Sequence, residues 1–228
     1  KESSAASDVY KRQVCGQITS EFTGVRYSKP LRLNAERYRR IQGLSVNEVD
    51  PSGENLEMVL NNLREKEQKA FSQWTKSTIG CEFSTVQKDG HVSIWVKDSR
   101  TNIKENLVDT GFGYSQILPI LLSVWKVNMS ENSSVRRFLY GYIGGQSADY
   151  YEAIEQPELH LHPALQAKLI DVFSQLASEE NGGKIKFVLE THSEAMINRL
   201  GYLINKKKLL PEMVNVVIFD KDDTGNTK

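Results

Sequence analysis

The chain has 228 residues, and its 29 lysine and arginine residues balance 29 aspartate and glutamate residues, so its formal net charge is zero. A composition of 39% hydrophobic and 25% charged residues excludes collagen-like and low-complexity chains and predicts one large or two small folded domains. No apolar run approaches the roughly 18 residues of a membrane span. Two isolated cysteines, Cys15 and Cys81, exclude a disulfide framework and indicate a reducing, cytoplasmic location.

The N-terminal residues 1–13 are expected to be foreign to the fold. The chain begins with Lys1, and residues 3–13 are similar to a translated transposon adapter of the kind used to prepare sequencing libraries. Segments of this kind are excluded from fold reasoning. We therefore expect residues 1–13 to be a non-native tail and the polypeptide upstream of Val14 to be missing. The alternative is a native, polar N-terminus.

The first half of the chain contains a helical pattern and a hairpin pattern. Apolar residues recur at intervals of three and four in residues 55–76, which predicts a helix. Apolar and polar residues alternate in residues 91–97. Because Lys88–Gly90 has the composition of a turn, we expect residues 79–87 to pair with residues 91–97 as a hairpin.

The second half of the chain alternates strand and helix patterns. An apolar helix is predicted from Gln116 to about Val127, followed by a polar surface loop at residues 128–147. Further strands are predicted at 150–155, 184–190 and 214–219, and further helices at 163–177 and 193–207. Strands that alternate with helices of this length predict a mostly parallel sheet.

The first of three strand-to-helix junctions with polar residues is Gly111–Gln116. Such junctions lie at the carboxyl ends of strands, where α/β sheets bind ligands. Its glycines allow close approach of the backbone to a ligand, and Ser115 is predicted to cap the following helix. The N–H groups at the start of a helix favour a phosphate.

The second junction, Ile154–Pro163, combines carboxylates with histidines, and its Glu155 is suited to holding Mg²⁺ at the end of a strand. The third junction, Val188–Glu194, places His192 at a strand exit and Ser193 where it can cap a helix. The sequence therefore predicts that three polar loops meet at one edge of the sheet.

In this order, the three junctions resemble the ABC-type ATPases of the RecF, SMC and OLD-nuclease group. The subgroup that the chain resembles is the stand-alone AAA ATP-binding proteins with a small C-terminal domain of unknown function, a resemblance that Arg37–Leu60 shares. It implies an α/β, ABC-ATPase-like three-layer fold with a mostly parallel sheet and a helix-hairpin insertion, incomplete at the N-terminus. The implied segments are the tail at 1–13, an N-terminal part at 14–110, the C-terminal lobe of the ATPase at 111–200 and the start of the small domain at 201–228.

The same resemblance implies roles for individual residues. Glu155 would be the Mg²⁺-associated acid that ends a Walker B strand, and His192 would be the switch histidine that senses the γ-phosphate. The signature motif, which contacts ATP bound to the opposite protomer, would contain Gly111, Gly113, Ser115 and Gln116.

Two features depart from the pattern of this group. The chain contains no G-x-x-x-x-G-K-[ST] phosphate-binding loop (Walker A), so we expect that the chain alone neither binds ATP tightly nor hydrolyses it. Gln156 stands where these ATPases usually have a catalytic glutamate, and a glutamine hydrogen-bonds water without taking its proton. Glu158 is the alternative base, and slow hydrolysis with ATP acting as a dimerising switch also stays open.

The function that the resemblance implies is an ATP-driven switch. Two copies would sandwich ATP and Mg²⁺ and signal to DNA or to an effector nuclease, in DNA repair or phage defence. No membrane is expected as a partner. One alternative is a metal-dependent hydrolase that uses His160 and His162, which lie on one side of an extended segment. Another is a non-catalytic nucleic-acid-binding or scaffold module, indicated by the basic residues Arg37, Arg39, Arg40, Lys206, Lys207 and Lys208. The zero net charge argues against strong DNA binding by this chain.

Overall fold

The secondary structure alternates between a parallel and an antiparallel part. A computed structural model describes residues 24–32, 36–41, 48–131, 150–178 and 185–219. The strands are β1 (Gly24–Ser28), β2 (Arg39–Arg40), β3 (Cys81–Lys88), β4 (His91–Asp98), β5 (Lys104–Asn106), β6 (Tyr150–Glu155) and β7 (Ile185–Glu190). The helices are α1 (Leu56–Asn61), α2 (Glu65–Thr78), α3 (Phe112–Glu131), α4 (Pro163–Ala177) and α5 (Glu194–Asn205), with short 3₁₀ turns at Leu107–Thr110 and Pro211–Met213.

The parallel sheet has the strand order β1-β6-β7. Its helix-covered face carries Ile154 and Phe187, and the Phe187 ring lies 4.7 Å from the ring of Phe173 on α4. On the opposite face, Val25, Tyr27 and Val188 are exposed in the described part of the chain. The mixed α/β architecture with a parallel sheet is confirmed, and the carboxyl ends of its three strands meet at one edge.

The antiparallel sheet has the strand order β2-β4-β3. Strand β5 pairs with residues 95–97 of β4, and β2 pairs with residues 91–92 of the same strand. The predicted hairpin of β3 and β4 is confirmed, because Asp89 and Gly90 both adopt positive φ values, 51° and 75°, as a two-residue turn requires. Phe71 on α2 packs 5.2 Å from the ring of Trp125 on α3. Since Ser123 of the same helix contacts β6, α3 joins the cores of the two sheets.

Three predictions of secondary structure are wrong. The helix predicted at 55–76 is two helices, because helix α1 ends at Asn61 and a new helix begins at Glu65. At the start of α2, the Glu67 carboxylate accepts the backbone N–H of Arg64 at 2.8 Å. Helix α3 begins at Phe112, so Ser115 lies inside its first turn and does not cap it. Residues 214–219 form no strand in the structure, although their apolar sequence is typical of one.

The other predicted elements are confirmed within one or two residues, apart from the loop at 128–147. Its first residues continue α3, and residues 132–149 lie outside the described part of the chain, as do residues 1–13. Among the described helices, none has both the length and the apolar character that crossing a membrane requires.

Candidate functional site

The carboxyl ends of the parallel strands bring acidic and phenolic side chains together. Glu155 and Glu190 are register partners at the ends of β6 and β7. The hydroxyl of Tyr27, from β1, donates to Oε1 of Glu155 at 2.7 Å. This hydrogen bond is the largest cause that raises the pKa of Tyr27, followed by burial and the charges of Glu155 and Glu190. The edge of the sheet is therefore a region of negative charge with one ordered hydrogen bond.

Gln156, the residue after β6, has a strained backbone. Its φ is 41°, in the left-handed region that residues other than glycine seldom adopt. Its N–H donates to the carbonyl of Glu190 at 2.8 Å, and its own carbonyl accepts from Leu159 N–H at 3.1 Å. The backbone of Gln156 is therefore held from both sides, and this fixes the point from which its side chain leaves.

Glu158 lies beside the third junction. Its Oε1 accepts the backbone N–H of His192 at 2.7 Å, while its Oε2 is buried and has no hydrogen-bond partner among the described residues. The structure therefore brings together two residues that the sequence separates by 34 positions. His192 itself is exposed to solvent.

Helix α5 begins at this contact with a side-chain cap. Ser193 Oγ accepts the N–H of Met196 at 3.1 Å, which confirms the predicted cap, and donates to Oε1 of Gln166 on α4 at 2.5 Å. Nε2 of Gln166 in turn donates to the carbonyl of Leu161 at 2.8 Å. These bonds tie the loop after β6 to the start of α5.

The Gly111–Gln116 turn lies against the loop that follows β6. The Phe112 ring makes an edge contact with the His160 ring, with 4.9 Å between centroids. A Cβ atom on Gly113 would lie 3.2 Å from the His160 carbonyl oxygen, so a side chain at this position would require a small shift of the loop after β6. Gly111, with a φ of 85°, is exposed.

Ser115 and Gln116, by contrast, are buried. Ser115 Oγ donates to the carbonyl of Phe112 at 2.7 Å. The amide of Gln116 accepts the N–H of Arg32 at 2.9 Å and donates to its carbonyl at 3.1 Å. Both side chains thus have partners within the chain, and Gly111 and Phe112 are the exposed part of the turn.

The two histidines of the second junction have separate surroundings. His160 is exposed and packs on Phe112, while Nδ1 of His162 accepts the N–H of Ala164 at 3.2 Å and caps α4. The described residues contain no group of three or more histidine, cysteine, aspartate or glutamate side chains placed to hold a metal ion. The geometry gives the metal-hydrolase alternative no support in this part of the chain.

The N-terminal basic residues are engaged by acidic partners. Arg37 pairs with Asp109, at 2.6 Å from Nη2 to Oδ1. Arg39 lies 3.6 Å from the buried carboxylate of Glu57. Local carboxylates thus offset the charges of Arg37 and Arg39, two of the three arginines in this cluster.

Arg32 is a site residue that sequence reasoning missed. It is 4% exposed, and its Nη2 donates to the carbonyls of Glu155 and Gln156, each at 3.0 Å. Burial lowers the pKa of Arg32 to about 10, and the charge of Glu158 acts in the opposite direction. No motif or periodicity in the sequence marks this position, because β1, which leads to it, was not predicted.

Acidic and amide side chains lie at the carboxyl edge of the parallel sheet, which is the edge where α/β proteins bind ligands. A family model described as an AAA ATPase domain matches residues 29–197, a range that contains all three junctions. The chain belongs to the AAA ATPase domain family.

Two solved structures show a weaker likeness. One comes from work on ATP-driven dimerization and DNA-stimulated activation of SMC ATPases; it has 12% identity and a TM-score of 0.45, and the match covers 72% of this chain and 83% of that one. The other is the Smc head domain from Pyrococcus furiosus, with an extended coiled coil, bound to the C-terminal domain of ScpA. It has 14% identity and a TM-score of 0.35, over 63% of this chain and 35% of that one. No curated protein matches the chain.

Proposed function

We propose that the chain is part of an ATP-binding and ATP-hydrolysing switch of the RecF, SMC and OLD-like ABC type. The observation that carries the proposal is the meeting of Glu155, Gln156 and Glu158 with the His192 backbone at one edge of a parallel sheet. Membership of the AAA ATPase domain family supports it. Phosphoryl transfer needs positioned groups and neutralised charge. This edge offers the positioned groups, and a Mg²⁺ ion held by its carboxylates would supply the neutralising charge.

Glu155 is the residue that we assign to Mg²⁺. Its carboxylate lies beside that of Glu190 at adjacent strand ends, and oxygen ligands of this kind suit a hard cation that keeps several waters. When bound, Mg²⁺ would neutralise charge on the phosphates. The Tyr27 hydroxyl orients the Glu155 carboxylate through the 2.7 Å hydrogen bond to Oε1.

Glu158 is the residue that we assign as general base, and Gln156 as the residue that orients the attacking water. One Glu158 oxygen is already bonded to the His192 N–H, while the other is a buried acceptor with no hydrogen-bond partner among the residues that the structure describes. An acceptor of this kind is completed by a proton donor such as water. The Gln156 amide can hold the same water but cannot take its proton.

The exposed part of the Gly111–Gln116 turn is the surface that we assign to a second copy. Gly111 and Phe112 stand at the N-terminus of α3, where N–H groups and the helix dipole favour a phosphate. A homodimer closed by ATP would use this surface, and DNA or an effector nuclease is the partner to which the switch would signal.

The first test is the complete gene that encodes this chain. We expect it to encode a G-x-x-x-x-G-K-[ST] loop between a strand and a helix. An open reading frame that contains no such loop would refute the ATPase proposal.

The second test measures ATP turnover in the protein that contains this loop. We expect Glu155→Gln to abolish Mg²⁺-dependent turnover and Glu158→Gln to reduce kcat by about 10²-fold or more. Gln156→Glu should raise turnover if the glutamine limits the reaction. Glu105→Gln, on the exposed strand β5 of the other sheet, is the matched control and should leave turnover unchanged. Full activity in Glu155→Gln would contradict the assignment of the metal site.

A further inference from the structure

A buried arginine, Arg32, connects the loop after β6 to helix α3. Its guanidinium Nη2 donates to the two consecutive carbonyls of Glu155 and Gln156 at 3.0 Å each. Arginine is almost never this deeply buried unless its charge has partners, because removing it from water is costly. The two carbonyls are therefore the groups that stabilise the buried guanidinium.

The backbone of Arg32 is fixed from the other side by Gln116. The Arg32 N–H donates to Oε1 of Gln116 at 2.9 Å, and the Arg32 carbonyl accepts from Nε2 at 3.1 Å. Gln116 belongs to the first two turns of α3 and is itself fully buried. A continuous chain of hydrogen bonds thus runs from the Gly111–Gln116 turn to the end of β6.

The strained residue Gln156 lies at the end of this chain of bonds. A positive φ in a residue other than glycine persists only where the surroundings hold it. The Glu190 carbonyl holds the Gln156 N–H, and Arg32 holds the Gln156 carbonyl. Without the guanidinium, the bond from Leu159 N–H is the one that the described part of the chain leaves to the Gln156 carbonyl.

Arg32 also lies within electrostatic range of Glu158. Nε and Nη1 of Arg32 and Oε2 of Glu158 are buried and have no hydrogen-bond partner among the described residues. The charge of Glu158 acts on the guanidinium, so the two groups are electrostatically coupled. The guanidinium hydrogen bonds of Arg32 go to the backbone of Glu155 and Gln156, so Gln156 is the residue at the attacking water that Arg32 holds directly.

We infer that Arg32 is a positioning residue for Gln156, and that Gln116 on α3 holds Arg32 in the place from which it does so. The inference rests on the proposed function, in which the Gly111–Gln116 turn faces the nucleotide of a second protomer. Arg32 then ties together two elements of one protomer that face two different nucleotides. A change in the position of the Gly111–Gln116 turn is transmitted to Gln156 through the buried Arg32 side chain.

The first experiment is amide hydrogen exchange on the 228-residue chain. Arg32→Lys keeps the positive charge but loses the planar fork, so we expect exchange at the amides of Gln156 and Leu159 to accelerate about tenfold. Amides in the middle of α3 should keep their rates. Arg199→Lys is the matched control, because it disrupts a bidentate arginine pair with Asp171 on α4 and α5 away from these amides.

The second variant, Gln116→Met, tests the transmission and serves if Arg32→Lys does not fold. The Gln116 amide hydrogen-bonds to the Arg32 backbone, and we expect the same two amides to accelerate when these bonds are lost. In the double variant the acceleration should not exceed the larger single effect, since both changes act on one path. Unchanged exchange at Gln156, or equal acceleration throughout α3, would overturn the inference.

Turnover separates this inference from the proposed function. In the protein that contains a phosphate-binding loop, we expect Arg32→Lys to lower kcat about tenfold while KM for ATP is unchanged. If the unsubstituted protein hydrolyses no ATP, the proposed function fails, and the exchange experiment still decides whether Arg32 positions Gln156. An active protein in which Arg32→Lys leaves kcat unchanged refutes the inference.

Discussion

The substitution Gln156→Gly should relieve the backbone strain of Gln156. Its φ of 41° lies where an L-residue pays about 1–2 kcal/mol for the close approach of Cβ to the backbone. Glycine avoids this cost but loses more conformational entropy on folding, about 0.5–1 kcal/mol. We therefore expect Gln156→Gly to raise the free energy of unfolding by about 0.5–1 kcal/mol, because the Arg32 and Glu190 hydrogen bonds involve only the backbone of Gln156.

Urea unfolding followed by tryptophan fluorescence measures this change, and the melting temperature should rise by about 1–4 °C. Gln156→Ala removes the same amide but keeps the strain, so it should not be more stable than the unsubstituted chain. Lys207→Gly is the matched control, since Lys207 has a φ of 56° in the exposed turn after α5 and should give a similar gain. A Gln156→Gly chain that is no more stable than Gln156→Ala would show that the strain argument is wrong.

Three further predictions concern the core. Burial raises the pKa of the Cys81 thiol to about 12, so iodoacetamide at neutral pH should alkylate Cys81 in urea but not in the folded chain, as read by mass spectrometry. Burial also raises the pKa of Glu152, against the hydrogen bond from Ser123. Because the folded chain binds this proton more tightly, the contribution of Glu152 to stability is fully present below its unfolded pKa and is lost as pH rises through its folded pKa. Glu152→Gln should flatten this dependence in urea titrations at acidic and neutral pH, and an unchanged slope would contradict it. Phe71→Ala empties a fully buried site beside Trp125 and should cost about 3–5 kcal/mol in the same assay, whereas a loss below about 1 kcal/mol would contradict the packing.

Much of the local structure could be predicted because its causes are local. The hairpin of β3 and β4 depends on alternating residues and on a turn at Asp89 and Gly90 that tolerates positive φ. Helix α4 depends on a proline at its first turn and on apolar residues at helical spacing. In both cases, neighbouring residues carry enough information to determine the element.

The wrong predictions arose where a second signal, local in one case and tertiary in the other, overrode a correct periodicity. Residues 55–76 have continuous helical periodicity, yet Arg64 and Glu67 start a new helix inside it. Residues 214–219 are apolar enough for a strand, but a strand exists only where another strand supplies its hydrogen bonds. In the described part of the chain, Ile218 and Phe219 are exposed and unpaired with any strand.

The sequence by itself determined the alternation of strands and helices, and the polar composition of the three junctions led to the expectation of a single ligand site. The tertiary structure alone decided which groups meet there. The contact of Glu158 with the His192 N–H and the buried position of Arg32 join residues that are 34 or more positions apart. Local patterns record propensity and periodicity, whereas long-range hydrogen bonds depend on how the strands are ordered and how deeply each group is buried.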